Sequence, residues 1–524
     1  MKMRSIVDDE FARASPKGSG GPAANADAAL QEAIRAIVLS TDLPAFDKRR
    51  AIWDLVRRTL LDRDRGFLCR TSDGRGFYFD KGQGRLHDLE QRGFQHLLST
   101  VSGLSSTENQ LKFVLDGVQT EAARTIPVEV HTLSFYHPKT GRLAISDGAG
   151  SVWQRDRGGK WERGQNGDDG LLFLSELDAE PWTPEFEPHG ALAWFLGQLL
   201  LDDDGNSLSV EEQRTLLLVW LLQNLFPPLR RTRVIPAFLG AQGSGKTSAM
   251  RMIGRLLCGS AFDVTGLRRD REDAFVAAVC NRVTVGLDNA DSRIAWLEDS
   301  LAAYATGNRY QLRRLYTTNE EVSFSPRAIL MLSSRDPQFR RPDIAERLLP
   351  LFCKRPEAYQ PEEALYSGLT ERRGQIMGEL LSRVGAIADS LASIALPAVR
   401  FRMADFGSFG WAVAKTARDE TAWEALLGKL ERGQVQFASD GDSLVIVLRN
   451  LLEREGAIGP IDAGQLYKRC AAIAESESLP LARTAQGFGR HLTNMKRVIE
   501  IELDAVFREE RGGGNRRFLT LKRR

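Results

Sequence analysis

The stretch FLGAQGSGKTSAMRMIG, Phe238 to Gly254, constrains this chain more than any other. A short apolar run leads into a glycine-rich loop, and then into residues spaced as an amphipathic helix. Gly240, Gly245, Lys246 and Thr247 fit G-x-x-x-x-G-K-[ST], with Gly243 as an extra glycine inside the loop. Such a loop works between a strand and a helix N-terminus, where successive N–H groups converge on phosphate. An α/β core is therefore expected here, with a nucleoside triphosphate as its ligand. Gly240, Ala241, Gln242, Gly243, Ser244, Gly245, Lys246, Thr247 and Ser248 would surround the phosphates. Lys246 would reach the β- and γ-phosphates, and the Thr247 hydroxyl would bind Mg²⁺.

A phosphate loop needs a second carboxylate to hold its metal through water. NRVTVGLDNAD supplies one, because the apolar run Val283–Leu287 delivers Asp288 at its carboxyl end. The plainer reading of Asp288 alone is a residue that caps a turn. With Lys246 only 42 positions upstream, one compact site is expected, holding ATP and Mg²⁺ as cofactors. Many hydrolysing motors follow this aspartate with glutamate; here the next residue is Asn289, whose amide can still orient water. Asp291, two positions further on, is the other candidate for that role.

The next stretch, YATGNRYQLRRLYTTNEEVSFSPRAILMLSSRDPQFRRPDIAERLLPLFCKRP (Tyr304–Pro356), resembles the core of superfamily 3 helicases, close to AAA+ proteins. Such cores occur in phage, poxvirus and plasmid primase-helicases. Thr306-Gly307-Asn308-Arg309 opens the matching segment, and Arg313-Arg314 occupy the position of the basic hairpin. Phe324-Ser325-Pro326 matches the turn, Ile329–Leu332 the sensor strand, and Arg347 precedes the last apolar strand. The resemblance covers about residues 236–356. It implies a ring, a hexamer, with ATP between subunits and Arg347 completing a neighbour's site; Arg341 is the second candidate. It also implies a sensor role at the end of its strand, where Ser333-Ser334 stand in place of the usual asparagine, and Ser334 is taken as the catalytic candidate.

The residues support the hairpin independently. Arg309, Arg313 and Arg314 cluster ahead of a turn with Tyr310 and Tyr316 interleaved. Guanidinium groups grip phosphates and aromatic rings stack on bases, as in loops that hold single-stranded nucleic acid. A solvated charged hairpin would carry the same residues.

The 524 residues leave room for several domains. Residues 1–26 read as a disordered leader, and 27–185 as an α+β domain with a hairpin turn at Asp73-Gly74. Residues 186–233 read as a helical linker, 234–356 as the ATPase core and 357–436 as a helical region. The acidic loop LDDDGNSLSVEE fails as an EF-hand, since Ser207 and Gln213 stand where Gly and Glu are required; a helix-capping loop is expected instead. In the first domain, Asp80 has no partner carboxylate, so no primase activity is expected. His87, His131 and His137 in this domain have no metal-site spacing.

Residues 437–524 pattern as three helices followed by two strands, the order of a winged helix. The third helix begins at Thr484 and carries Arg490, His491, Asn494, Lys496 and Arg497; the wing carries Arg516 and Arg517. From Arg483 to Arg524 there are 11 Lys/Arg against five Asp/Glu, a local charge of +6 in a chain whose net charge is +2. That asymmetry is the footprint of DNA binding; a winged helix used for subunit contacts is the alternative. Five scattered cysteines without a C-x-x-C pair fit a reducing compartment. The apolar runs are too short to span a bilayer, so a cytoplasmic protein without membrane contact is expected.

Together these features predict an ATP-dependent DNA translocase or helicase of the superfamily 3 type. It would act as a ring of identical subunits in replication of a phage, plasmid or integrated element. DNA would be its partner, single-stranded in the ring and duplex at the winged helix. The alternative is a nucleotide-dependent switch or assembly platform that binds ATP and DNA without unwinding.

Overall fold

The computed structural model describes residues 22–524 apart from 63, 177, 188, 204–207, 291–293, 314–320, 335–338, 340, 360, 440–441, 478 and 512–516. It also leaves aside the side chains of 22–25, 312, 313, 321–323, 436–438 and 511. The architecture is mixed α/β around one parallel sheet.

Five strands form that sheet, in the order Thr265–Gly266, Thr284–Asp288, Ile329–Ser334, Ile235–Leu239 and Leu348–Phe352, all parallel. Ile235–Leu239 and Ile329–Ser334 are buried along their whole length, as sheets covered on both faces require. The covering helices include Lys246–Cys258, Glu272–Asn281 and Leu297–Thr306. The strand ending in Asp288 does not pair with the phosphate-loop strand; Ile329–Ser334 lies between them. The carboxyl ends of three neighbouring strands therefore open onto one edge, where ligands bind in open α/β sheets.

The outer edge of the sheet is covered by residues 199–202. The Asp202 amide donates to the Phe352 carbonyl (2.8 Å) and the Lys354 amide to the Leu200 carbonyl (3.0 Å). This addition protects the edge and brings Leu200 beside the phosphate loop. After the acidic loop, Ser209 and Glu212 form a reciprocal capping box that starts the helix Val210–Gln223.

Toward the N-terminus, helices Pro22–Leu39, Ala45–Leu60, Arg92–Ser102 and Asn109–Ala123 accompany an antiparallel meander of Gly66–Arg70, Gly76–Asp80 and Arg85–Asp88. Its first turn contains Gly74 at φ 87°, left-handed backbone that glycine adopts without strain. A second meander runs through Ser134–Tyr136, Leu143–Ser146, Ser151–Arg155 and Glu162–Gln165. The first meander is tied to the parallel-sheet core. Buried Arg75 donates to Asp88 Oδ2 (2.6 Å) and to the Cys280 carbonyl (3.1 Å), and Arg327 pairs with Asp73 (3.3 Å).

Helices Glu362–Leu391, Ala404–Ala417 and Glu420–Ser439 follow the core. The last is pinned to it by buried Gln434, which donates to the Leu348 carbonyl (2.7 Å) and the Glu346 carbonyl (3.3 Å). The C-terminal unit runs helix Ser443–Glu455, strand Ala457–Asp462, helix Ala463–Ser476, helix Ala485–Asn494, helix Lys496–Glu502, and strands Ala505–Arg511 and Arg517–Arg523. The final strand lies in the middle of its three-stranded sheet. Thr484 caps its helix through Gly487 N (3.1 Å). The single third helix expected from the sequence is broken in two: Met495 is buried at the break, and Lys496–Glu502 turns onto Glu420–Ser439.

The five cysteines are free and buried. Among the described residues no helix is long and apolar enough to cross a membrane.

Candidate functional site

The phosphate loop keeps its shape through residues that only glycine can supply. Gly240 has φ 143°, and a Cβ there would lie 2.4 Å from the Cys353 carbonyl oxygen. Gly243 and Gly245 sit at φ 79° and 77°, and helix Lys246–Cys258 begins directly after the second. Buried Lys246 donates from Nζ to the carbonyls of Gly240 and Ala241, at 2.7 Å each. A bound phosphate would offer the ammonium stronger, charged acceptors at the same place.

Thr247 and Asp288 meet. The Thr247 hydroxyl donates to Asp288 Oδ1 (3.1 Å), although 41 residues separate them. Two protein oxygens at the mouth of a phosphate loop suit Mg²⁺, which takes one or two protein ligands and otherwise water and phosphate oxygens. Among the described residues no group of three or more His, Cys, Asp or Glu side chains is placed to hold a metal ion.

The serine that joins this network is Ser333. Its hydroxyl donates to Asp288 Oδ1 (2.6 Å) and accepts from the Asn289 amide (3.1 Å). Ser334, chosen from the sequence, is also buried but follows Ser333 on the strand, where it pairs with Leu239. Alternation along a strand sends the two side chains to opposite faces, so sequence pattern alone does not say which one meets the aspartate. Asn289 adopts φ 54°, a left-handed conformation that asparagine tolerates better than glutamate. A turn requirement thus accounts for part of its presence. Asp291 lies outside the described residues.

A cleft of about 480 Å³ adjoins the loop. It is lined by Gln198 and Leu200 on one side and by Met252, Tyr359 and Leu365 on others. Its size suits a nucleotide-sized ligand. Tyr359 donates to the Gly243 carbonyl (3.3 Å), and Arg355 to the Gln242 carbonyl (2.9 Å). Leu200, Tyr359 and Leu365 are not legible in the sequence, because they come from segments on either side of the motif-bearing core.

Arg341 and Arg347 lie at the opposite end of the sheet from the loop. Ile235 pairs with Leu348 and Leu239 with Phe352, so a strand length of roughly 20 Å separates Arg347 from Gly240. Neither arginine can reach a phosphate held by its own loop. Arg347 is enclosed, with 11% of its side chain exposed, and donates to the Asp343 carbonyl (2.7 Å) and carboxylate (3.2 Å). Its burial holds its pKa below the usual arginine value. Arg341 is 42% exposed and binds Asp343 through both carboxylate oxygens (3.1 and 3.0 Å), with Asp299 as a further partner. These hydrogen bonds raise its pKa.

The predicted hairpin is present as Tyr310–Arg313 against Glu321–Phe324, with Arg313 opposite Glu321. Its tip, with Arg314 and Tyr316, lies outside the described residues. Arg309 is exposed at its base. Tyr310 departs from expectation. It is buried, donates to the Ser300 carbonyl (2.6 Å) and meets Phe275 edge-on, so it anchors the hairpin and cannot stack on a base.

On the C-terminal unit, Arg490 and Asn494 are exposed on helix Ala485–Asn494. His491 pairs with Asp442 (3.0 Å), which raises the histidine's pKa. Arg517 donates to Thr493 (2.7 Å) and Glu509 (2.6 Å), and the Lys496 ammonium sits over the Phe507 ring (5.5 Å). Arg497 is placed elsewhere than expected. Beyond the helix break it binds Glu431 and Glu346 (3.3 Å), in the helical region and the parallel-sheet core. Arg516 lies outside the described residues.

Residues 204–431 match a family described as actinomycete integrative conjugative element replication protein. That span takes in the phosphate loop, Asp288, the hairpin and the Arg341–Arg347 segment. No protein of curated function matches the chain in sequence. Among solved structures, the apo C-terminal region of NrS-1 aligns with 87% of this chain and 95% of its own, at 12% identity and a TM-score of 0.34. The SCCmec type IV protein Cch, described as an active helicase, aligns with 87% of this chain and 93% of its own, at 10% identity and a TM-score of 0.44. Neither bears on function at that likeness.

Proposed function

We propose that this protein is an ATP-driven DNA translocase serving replication of an integrating, conjugative element. The observation that carries the reading is the convergence of Lys246, Thr247 and Asp288 at one sheet edge, inside a span that matches a replication-protein family. ATP would lie on Gly240–Ser248 with its base in the Leu200–Tyr359 cleft. Mg²⁺, held by Thr247 and through water by Asp288, would supply charge stabilisation at the transferred phosphoryl group.

The strand order supports an AAA+-like core, and the helix and strand order of residues 443–523 supports a winged helix. In this reading the subunits form a ring, and Arg341 or Arg347 approaches a neighbour's phosphates. Their distance from the loop of their own subunit favours action in trans. The Arg309–Arg314 hairpin would grip a single strand, while Arg490 and Asn494 would face duplex DNA.

A second reading, a switch that binds ATP and DNA without unwinding, draws on Asn289. Its left-handed backbone disfavours the glutamate that activates water in fast motors. The two readings separate in an ATPase assay with and without single-stranded DNA. The translocase reading predicts DNA-stimulated hydrolysis that Lys246→Ala abolishes and Arg314→Ala uncouples from DNA. Nucleotide binding with no DNA stimulation in the wild type would leave the switch.

A further inference from the structure

Arg497 ties the C-terminal unit to the segment that carries the trans-acting arginine candidates. Glu346, with 12% of its side chain exposed, directly precedes Arg347 and ends the short helix Pro342–Ala345. One of its oxygens forms an ion pair with Arg497 (3.3 Å) and the other accepts from Arg402 (2.7 Å). Its carbonyl and that of Leu348 accept from Gln434. Thus three partners from outside the sheet grip the two residues that flank Arg347. Behind Glu346, Asp343 bridges Arg341 and Arg347.

At the other end, Arg497 stands three residues beyond Asn494. The Met495 amide donates to the His491 carbonyl (2.9 Å) and the Ile499 amide to the Met495 carbonyl (2.8 Å), so little slack separates the two helices. Arg497 also binds Glu431. The DNA-facing helix and the Arg347 segment are therefore linked through one guanidinium.

We infer that Arg497 is a positioning residue for ATP hydrolysis: duplex held on helix Ala485–Asn494 sets, through Arg497 and Glu346, where Arg341 and Arg347 stand toward the neighbouring subunit. The inference rests on the proposed trans role of those arginines. It replaces direct DNA contact by Arg497 with communication between the duplex-binding unit and the catalytic edge. Couplings between sites of this kind commonly change affinity about 5- to 150-fold.

The test measures ATP turnover by the full-length protein against ATP concentration at saturating labelled duplex, with duplex affinity measured separately. Arg497→Ala is expected to lower kcat roughly tenfold, with KM for ATP and duplex affinity at wild-type values; Arg497→Lys should recover part of the loss. Mixing Arg497→Ala with Lys246→Ala subunits should restore turnover, since the second still presents a well-placed arginine to the first. A purely structural defect would not be complemented in this way. Weakened duplex binding with unchanged kcat would overturn the inference and make Arg497 a DNA contact. Unchanged kcat in Arg497→Ala, where Arg341→Ala or Arg347→Ala is slow, would overturn the coupling alone. If neither of those two variants slows hydrolysis, the trans-arginine reading fails, and this inference falls with it.

Discussion

Ser333→Ala tests the geometry of the proposed ATP site at a single atom. The Ser333 hydroxyl lies 2.6 Å from Asp288 Oδ1 and accepts from the Asn289 amide, and the residue is fully buried. If Thr247 were to hold Mg²⁺, Ser333 would be left to orient the Asp288 carboxylate. A hydrogen bond to a charged group contributes about 1.5–3 kcal/mol, equivalent to roughly 10- to 150-fold in rate if it is needed in the transition state. Alanine removes the oxygen without adding volume, so the fold should persist. The assay is steady-state ATP hydrolysis titrated with Mg²⁺, with binding of a fluorescent ATP analogue as control. Ser333→Ala should lose activity in that range, or need correspondingly more Mg²⁺, while still binding nucleotide. Ser334→Ala should stay within a few-fold of wild type. A silent Ser333→Ala beside an inactive Ser334→Ala would refute the assignment and return the role to the residue suggested by sequence.

Further predictions follow from the same contacts. Gly240→Ala places a Cβ against the Cys353 carbonyl; it should cost about 1–3 kcal/mol of stability, seen as a lower Tm, and abolish nucleotide binding. Arg490→Ala should weaken duplex binding by about 1–3 kcal/mol and flatten its salt dependence, leaving hydrolysis without DNA unchanged. The His491–Asp442 pair gives a pH signature. His491 has a folded pKa above its ordinary 6.5, so its contribution is complete below that value and is lost as pH rises through the folded pKa. Asp442 is depressed below its ordinary 3.8, so its contribution is present above that value and is lost as pH falls through the folded pKa. Hydrogen exchange at 485–494, corrected for its intrinsic pH dependence, should therefore accelerate above neutral pH in the wild type. In His491→Ala it should be fast throughout.

What the sequence disclosed depended on how local the chemistry was. The phosphate loop is written in consecutive residues because one turn must aim several amides at one ligand. Asp288 was legible because its strand ends at the same edge. The hairpin could be placed from its flanking arginines and the Phe324-Ser325-Pro326 turn. Roles decided by tertiary facing were not legible. Ser333 and Ser334 are chemically identical neighbours, separated only by which face of the strand each occupies. Tyr310 looked like a stacking ring until its hydroxyl was found on Ser300. Arg497 belonged to a basic helix by composition, yet its carboxylate partners lie 66 and 151 positions away, and the break at Met495 turns it toward them. Leu200 and Tyr359 wall the cleft beside the phosphate loop from segments with no motif of their own.

As an ATP-driven translocase the protein would move DNA with nucleotide energy. The most direct test is strand separation of a forked duplex by the purified full-length protein with ATP and Mg²⁺. Lys246→Ala and Asp288→Ala serve as controls. Displaced strand should accumulate with the wild type and not with either variant. ATP hydrolysis or tight ATP binding by the wild type, with the fork left intact, would contradict the claim.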